Sequence, residues 1–301
     1  ETQALYRDRV DWNDVRARLA AAGDDRAQQR RVLDEAATRS SRGHGRWISP
    51  SQQRERSGRA QRLNAGQGAA LAESPAVNAR IGVRKVGPFV EDLQRSEQER
   101  HDARKAYALA LQQVIVDVDD GTRCAWVVDA GSNGGGIMWP MLLGLLPLLQ
   151  GTPDAQGAVI GAFRSADGLQ WWRQGEGEVR QDGTQGLRSR QAAYRLRAGS
   201  APVAVLIGAR TASSGEAVAL AFRGQAGSRS FGQPSADFST GNRPVTLVNG
   251  TTLLVTHNVM ADRNGQGDGA KLQPDETTTT GPATLAAAQA WLLAQPACKD
   301  G

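Results

Sequence analysis

The stretch that most constrains this chain is an apolar run that turns into a helix-forming run within a few residues. Pro202-Val-Ala-Val-Leu-Ile-Gly208 has the character of a buried strand, and Glu216-Ala-Val-Ala-Leu-Ala-Phe222 that of a helix. Between them lies Arg210-Thr211-Ala212-Ser213-Ser214-Gly215-Glu216. A strand that feeds directly into a helix calls for an α/β architecture. It also puts a small hydroxyl residue where the first backbone N–H groups of a helix are unpaired and its dipole favours negative charge. Two roles suit Ser213 there. Ser213-x-x-Glu216 is a capping box, the commoner reason for such a pattern. The other role is that of a nucleophile, and the motif alone leaves both open.

The length of 301 residues suits one large domain or a core with a smaller cap. Hydrophobic residues make up 40%, enough for a sizeable core. The net charge of +5 rests mainly on Arg, since only Lys85, Lys105, Lys271 and Lys299 are lysines. The Arg residues are spread along the chain with acids among them, so no nucleic-acid footprint is expected. The longest apolar run, Ile137 to Leu149, is too short for a membrane span and holds two prolines. Cys124 and Cys298 form no CxxC or Cys/His cluster, so no zinc site is expected. They are either inert thiols or, in an oxidising compartment, a pair.

Along the chain, residues 1–47 read as a helical N-terminal cap. Asp11 or Asn13 caps a segment through Leu19, and Asp24 or Asp25 a second through Ala37. Gly43-His44-Gly45 follows in a closely approachable loop. Residues 48–78, rich in Gln, Arg, Ser, Gly and Ala, read as a linker or loosely held segment. The core is expected over 79–301. Ile81 to Val86 reads as a strand, and Val90 to Ile115 as a long helix with Ala106, Leu109, Leu111 and Ile115 inward. Cys124 to Asp129 is a buried strand that runs into Ala130-Gly131-Ser132-Asn133-Gly134-Gly135-Gly136 and then an apolar helix. That layout presents bare N–H groups to an anion. It is neither G-x-G-x-x-G nor a P-loop, so a nucleotide phosphate is a poor fit.

Residues 151–195 read as hairpins or long surface loops, with Trp171-Trp172 as a packed aromatic pair or a substrate wall. Tyr194 to Leu206 returns to strand character. Ser228 to Gln233 and Thr246 to Val255 follow as strands, the latter as a hairpin around Asn249-Gly250. Thr284 to Ala294 closes the chain as a helix. Strands alternate with helices, which predicts an α/β core of repeated β-β-α units.

Three pieces stand in one order: the Gly-His-Gly loop, the strand ending Asp129-x-x-x-Asn133-x-Gly135-Gly136, and Thr211-Ala-Ser213-Ser-Gly-Glu216 with Arg229-Ser-Phe231-Gly232 after it. Their order and content resemble the S41 peptidases, the family of tail-specific proteases and the tricorn core, over about residues 79–294. The resemblance implies a crotonase/ClpP-like core with a helical cap; the PDZ domain common in the tail-specific branch has no room or pattern here. It implies a serine peptidase acting on peptides or proteins, with no cofactor and no metal. Its nucleophile stands three residues before the motif acid, which is Ser213. The oxyanion hole would use the N–H of Ser214 and that of Gly135 or Gly136, in keeping with both turns as donors aimed at developing charge.

The tail-specific branch takes its base from a Phe-Gly-Lys motif, and here Phe231-Gly232-Gln233 stands instead. The His-dependent branch is therefore the nearer one. His44 is its expected base, Asp268 its expected orienter, and Asp275 the competitor for that place. His101 and His257 fit less well. The turn lacks the family's usual Arg, and Gly45-Arg46 follows His44 where the family has Ser or Thr. A non-catalytic member of the fold that binds a peptide or small apolar ligand is the alternative. No signal-peptide pattern is present in this chain, which begins at Glu1, and export to the periplasm or beyond is expected from the resemblance alone.

Overall fold

Asp11 and Asp25 start the first two helices. Asp11 accepts the N–H groups of Asn13 and Asp14 to cap α1 (Trp12–Ala21), and Asp25 those of Ala27 and Gln28 to cap α2 (Arg26–Arg39). In each pair of candidate caps, one residue satisfies two donors that the first helical turn leaves unpaired. The computed structural model describes residues 5–58, 78–184, 186–189, 194–247, 250–279 and 281–299. The two helices enclose a small apolar cluster of Val10, Val15, Val32 and Ala36. They are stitched to the rest of the molecule by β1 (Arg46–Ile48), whose register begins Arg46↔Leu254. The expected cap boundary at residue 47 thus falls inside a strand shared with the core. Residues 50–58 are helical, and 59–77 of the expected linker lie outside the described residues.

The core strands and helices follow in order. They are β2 (Ile81–Lys85), α3 (Glu97–Val118), β3 (Ala125–Asp129), α4 (Met138–Gly144), β4 (Thr152–Asp154), β5 (Gly157–Ser165), β6 (Gly168–Gly175), β7 (Glu178–Gln181) and β8 (Leu187–Arg188). Then come β9 (Val203–Ile207), α5 (Ser214–Phe222), β10 (Ser228–Gly232), β11 (Thr240–Thr246), β12 (Thr252–Ala261), β13 (Glu276–Thr277), α6 (Gly281–Leu293) and α7 (Pro296–Lys299). The long helix begins at 97 rather than 90, because Ser96 and Glu99 form its capping box. Its buried stripe is Tyr107, Ala108, Leu111 and Ile115, which leaves Ala106 and Leu109 exposed, contrary to the pattern expected from sequence.

The strands divide between two sheets. β13-β10-β9-β3-β2 is all parallel, with β9 central and every residue of it buried. Its residues alternate between two cores, as a period of two requires. Trp126, Val128, Val203, Val205 and Ile207 face α3, α4 and α5, while Val127, Ala204, Leu206 and Phe231 face α6 with Ala288 and Leu292. The hairpin strands peel away into a second, antiparallel sheet, β1-β12-β5-β6-β7-β8, with β11 and β4 attached. Strand–helix–strand crossovers are therefore confined to the parallel sheet. Tyr194 to Pro202 is not strand, and the hairpin of β11 and β12 has Asn249 outside the described residues. Trp172 is fully buried against Phe163 and Trp139, so it is core rather than a wall. Cys124 and Cys298 are joined by a disulfide that ties α7 to the entry of β3. No described helix is long and apolar enough to cross a membrane.

Candidate active site

The carboxyl ends of β3, β9 and β10 point the same way, and open parallel sheets bind ligands at that edge. The turn after β9 holds Ser213 at φ 53° and ψ −114°, a conformation unfavourable for any residue with a β-carbon. What holds it there is the next turn of the helix. The Ser213 N–H donates to Glu216 Oε2 at 2.6 Å, which is the carboxylate arm of the expected capping box. Glu216 has no exposed surface, and both of its oxygens act as acceptors: Ser235 Oγ donates to Oε1, and the Phe238 N–H reaches Oε2 at 3.1 Å. Burial pushes this carboxyl up to about 7, against the pull of those three donors.

The glycine turn after β3 interlocks with this one. Thr211 Oγ1 donates to the Ala130 carbonyl and accepts the Gly208 N–H, both at 2.9 Å. Fully buried Asn133 accepts the Ala212 N–H at its own carbonyl. Ser214 Oγ donates to the Gly136 carbonyl at 2.8 Å. A β-carbon on Gly136, at φ 123°, would lie 1.9 Å from the Phe89 carbonyl oxygen. One on Gly135, at φ 101°, would lie 2.9 Å from Ser213 Cβ. Glycine is thus required at both places. The two differ in a further respect: the Gly135 N–H already donates to Asn133 Oδ1 at 3.0 Å. Of the two expected glycine donors, Gly136 is the one whose N–H is not spent on holding the turn.

The cap brings His44 to this edge. Its Nε2 stands 3.1 Å from Ser213 Oγ across 169 positions, and the Ser213 hydroxyl lies toward the ring. Nδ1 is 2.6 Å from Thr240 Oγ1, at the start of β11. The Phe238 ring packs on the imidazole with centroids 5.1 Å apart, and Asn242 Nδ2 donates to the His44 carbonyl at 3.2 Å. His44 is buried, and that burial, with a smaller contribution from the nearby Arg46 charge, lowers its pKa to about 4. The ring is therefore neutral at neutral pH, with a free lone pair.

The expected acid does not fill the place beside the ring. Asp268 is exposed and accepts the Ala270 N–H at 2.9 Å, and Asp275 bonds Ser230 on the far side of β10. A threonine hydroxyl stands where the carboxylate was expected, because β11 runs directly under the cap loop. Nothing in the sequence singles out Thr240 and Asn242 on β11 or Phe238 just before it, which reach His44 from almost 200 positions away. His101 lies on α3 and His257 on β12, outside this group. Gln233, at the family's lysine position, has its side-chain amide donating to the Thr278 carbonyl. Among the described residues no group of three or more His, Cys, Asp or Glu side chains is placed to hold a metal ion.

Comparison with known proteins bears on the family and the fold. Residues 101–278, more than half of the chain, match the model of peptidase family S41. The chain belongs to this family. A relative, the nisin-resistance protein of Lactococcus lactis subsp. lactis, is 34% identical over 137 residues, which is 46% of this chain and 40% of that protein. The match therefore spans well under two thirds of the relative's length. Among solved structures, a lipoprotein from Streptococcus agalactiae superposes with a TM-score of 0.71 at 20% identity, covering 97% of this chain and 91% of its own. A candidate peptidase of Parabacteroides merdae gives 0.57 at 18% identity, covering 97% and 96%. At these identities the likeness is one of fold. The S41 fold here is mixed α/β, with the helical N-terminal segment and without a PDZ domain among the described residues.

Proposed function

We propose that this S41 chain is a serine peptidase of the His-dependent kind, cleaving peptide bonds through an acyl-enzyme on Ser213. The observation that carries this reading is the 3.1 Å approach of His44 Nε2 to Ser213 Oγ, with the imidazole kept neutral by burial. With Nδ1–H donating to Thr240 Oγ1, the Nε2 lone pair faces the serine hydroxyl. Ser213 Oγ attacks the scissile carbonyl carbon as its proton passes to Nε2. The oxyanion is held by the N–H of Ser214, first in its helix and without an intrahelical acceptor, and by that of Gly136. Collapse returns the proton from Nε2 to the departing amine. Water then repeats the sequence on the acyl-enzyme. Thr240 takes the orienting place in which Asp268 was expected. A hydroxyl stabilises imidazolium less than a carboxylate does, in keeping with the low pKa of His44.

The disulfide and the relatives support a site of action outside the reducing cytoplasm, at the cell envelope or beyond. Disulfides persist in oxidising compartments, and the superposing Streptococcus agalactiae protein is a lipoprotein. The substrate is a peptide or protein. A fluorophosphonate probe tests the reading. Wild-type protein is expected to be labelled at neutral pH, Ser213→Ala to lose labelling, and Ser214→Ala to keep most of it. Labelling that survives in Ser213→Ala, or no labelling of the wild type, would overturn the mechanism in favour of a binding protein.

A further inference from the structure

Among the described residues, three that are not glycine have positive φ: Ser213 at 53°, Arg42 at 55° and Asp237 at 78°. The first is the candidate nucleophile. The other two bond to each other, with Arg42 Nη2 at 3.2 Å from both carboxylate oxygens of Asp237, across 195 positions. A left-handed backbone is unfavourable for either residue and persists only where the surroundings over-determine it. Their places in the chain show what the contact joins. Arg42 stands two residues before His44, on the cap loop. Asp237 stands beside Phe238, whose ring meets His44 and whose N–H meets Glu216, and three residues before Thr240. The segment 235–240 therefore touches the base through Phe238 and Thr240, and the nucleophile through Glu216. Arg42–Asp237 fastens the base-bearing loop to that segment.

We propose that Arg42 and Asp237 are a positioning pair that seats His44 on Ser213. The proposal rests on the peptidase reading for its catalytic consequence, but not for the seating itself. The side chains are 27% and 34% exposed, and ion pairs at that exposure add little to global stability. The pair's effect therefore falls on geometry. A base displaced by a fraction of an ångström loses much of its rate, since about 1 Å costs on the order of a hundredfold.

The test uses Asp237→Asn, because Asn tolerates the left-handed conformation and the change removes the charge and one of the two acceptor oxygens that Arg42 Nη2 meets. Its acylation by the fluorophosphonate is expected to slow roughly tenfold, with kcat for a peptide falling and KM held, and with unchanged melting. Arg42→Lys is expected to keep most of the rate. The double variant Arg42→Ala/Asp237→Asn is expected to be no slower than the worse of Arg42→Ala and Asp237→Asn alone, as for residues acting as a unit. Salt is expected to slow the wild type and leave the double variant unaffected. The imidazole NMR signals of His44 report seating without catalysis, and the Nδ1 proton bonded to Thr240 is expected to shift or broaden in Asp237→Asn. Wild-type acylation by Asp237→Asn together with an unchanged imidazole spectrum would overturn the proposal, as would a raised KM with kcat unchanged. If the wild type shows no Ser213-dependent labelling while the imidazole signal still responds to Asp237→Asn, the seating holds and the peptidase reading fails.

Discussion

The two halves of the candidate site are built in opposite ways. The nucleophile side is local. Ser213, Ser214 and Glu216 lie within four positions, one strand leads in and one helix leads out, and the carboxylate that holds the strained serine belongs to the same turn. The base side is assembled from distant pieces. His44 comes from the cap, Thr240 and Asn242 from β11, and Phe238 from the segment before it. The lesson is that strain is held by short-range bonding, whereas the orientation of an imidazole is held by whatever strand the fold slides beneath it.

Substitutions on either side sharpen that contrast. The largest effect is expected from His44→Ala, a fall in peptidase turnover of about 10²–10⁴ with the fold intact by circular dichroism. Unchanged turnover would remove the distant half from the chemistry. Gly136→Ala comes next. A single methyl would meet the Phe89 carbonyl at 1.9 Å and displace the turn, so kcat is expected to fall about 10²–10³, as when one oxyanion donor is lost. Near-wild-type kcat there would move the oxyanion hole elsewhere. Thr240→Val keeps the shape of the side chain and loses the hydroxyl, with an expected loss of about tenfold that Thr240→Ser restores. If Thr240→Val has no effect, the base needs no orienter.

The pH profile separates the halves by titration. Acid protonates His44 near 4, so acylation is expected to be lost in full as the pH falls through that value. Glu216, raised to about 7, takes up a proton earlier and weakens the grip on the Ser213 N–H, giving a shallower fall near neutrality. Glu216→Gln is expected to abolish the shallow limb and leave the steep one. The linked stabilities have opposite signs. The folded pKa of His44 lies below its usual 6.5, so stability is lost as the pH falls from 6.5 towards 4. That of Glu216 lies above its usual 4.5, so its contribution is full below 4.5 and lost as the pH rises through 7. Between 4.5 and 6.5 the two oppose each other, and stability is expected to vary little there on their account. The smallest effect on activity is expected from Cys298→Ser. The disulfide lies at the opposite end of β3 from the glycine turn, so the change is expected to cost about 2–5 kcal/mol of stability by denaturant melt with kcat within about twofold.

The parts legible in the sequence are those decided by neighbours along the chain. Asp11 and Asp25, each one of two candidate caps in the sequence, start helices because a carboxylate finds the next free N–H groups wherever it sits; the Ser96–Glu99 box is just as local, yet the sequence reading places the start of α3 at Val90. The run Val203 to Ile207 declares a central strand by being apolar on both faces, and the Ser213 turn and glycine turn declare themselves by spacing. Family likeness added His44. Misplaced details share a cause. The inward stripe of α3 was expected to include Leu109, but the direction of the core is set by how the helix lies on its neighbours. Asp268 was expected beside His44, but a loop acid has no register, whereas β11 has one: it pairs along β12 from Thr240↔Val259 to Thr246↔Thr252. By itself, then, the sequence determined the strand–turn–helix that strains Ser213 and the glycines that let a second turn approach it, because those are effects of a few consecutive residues. Only the tertiary structure decided that Thr240 meets the imidazole. It also decided that Arg42 reaches Asp237, because contacts across nearly 200 positions depend on strand register and on the seating of the cap, not on spacing.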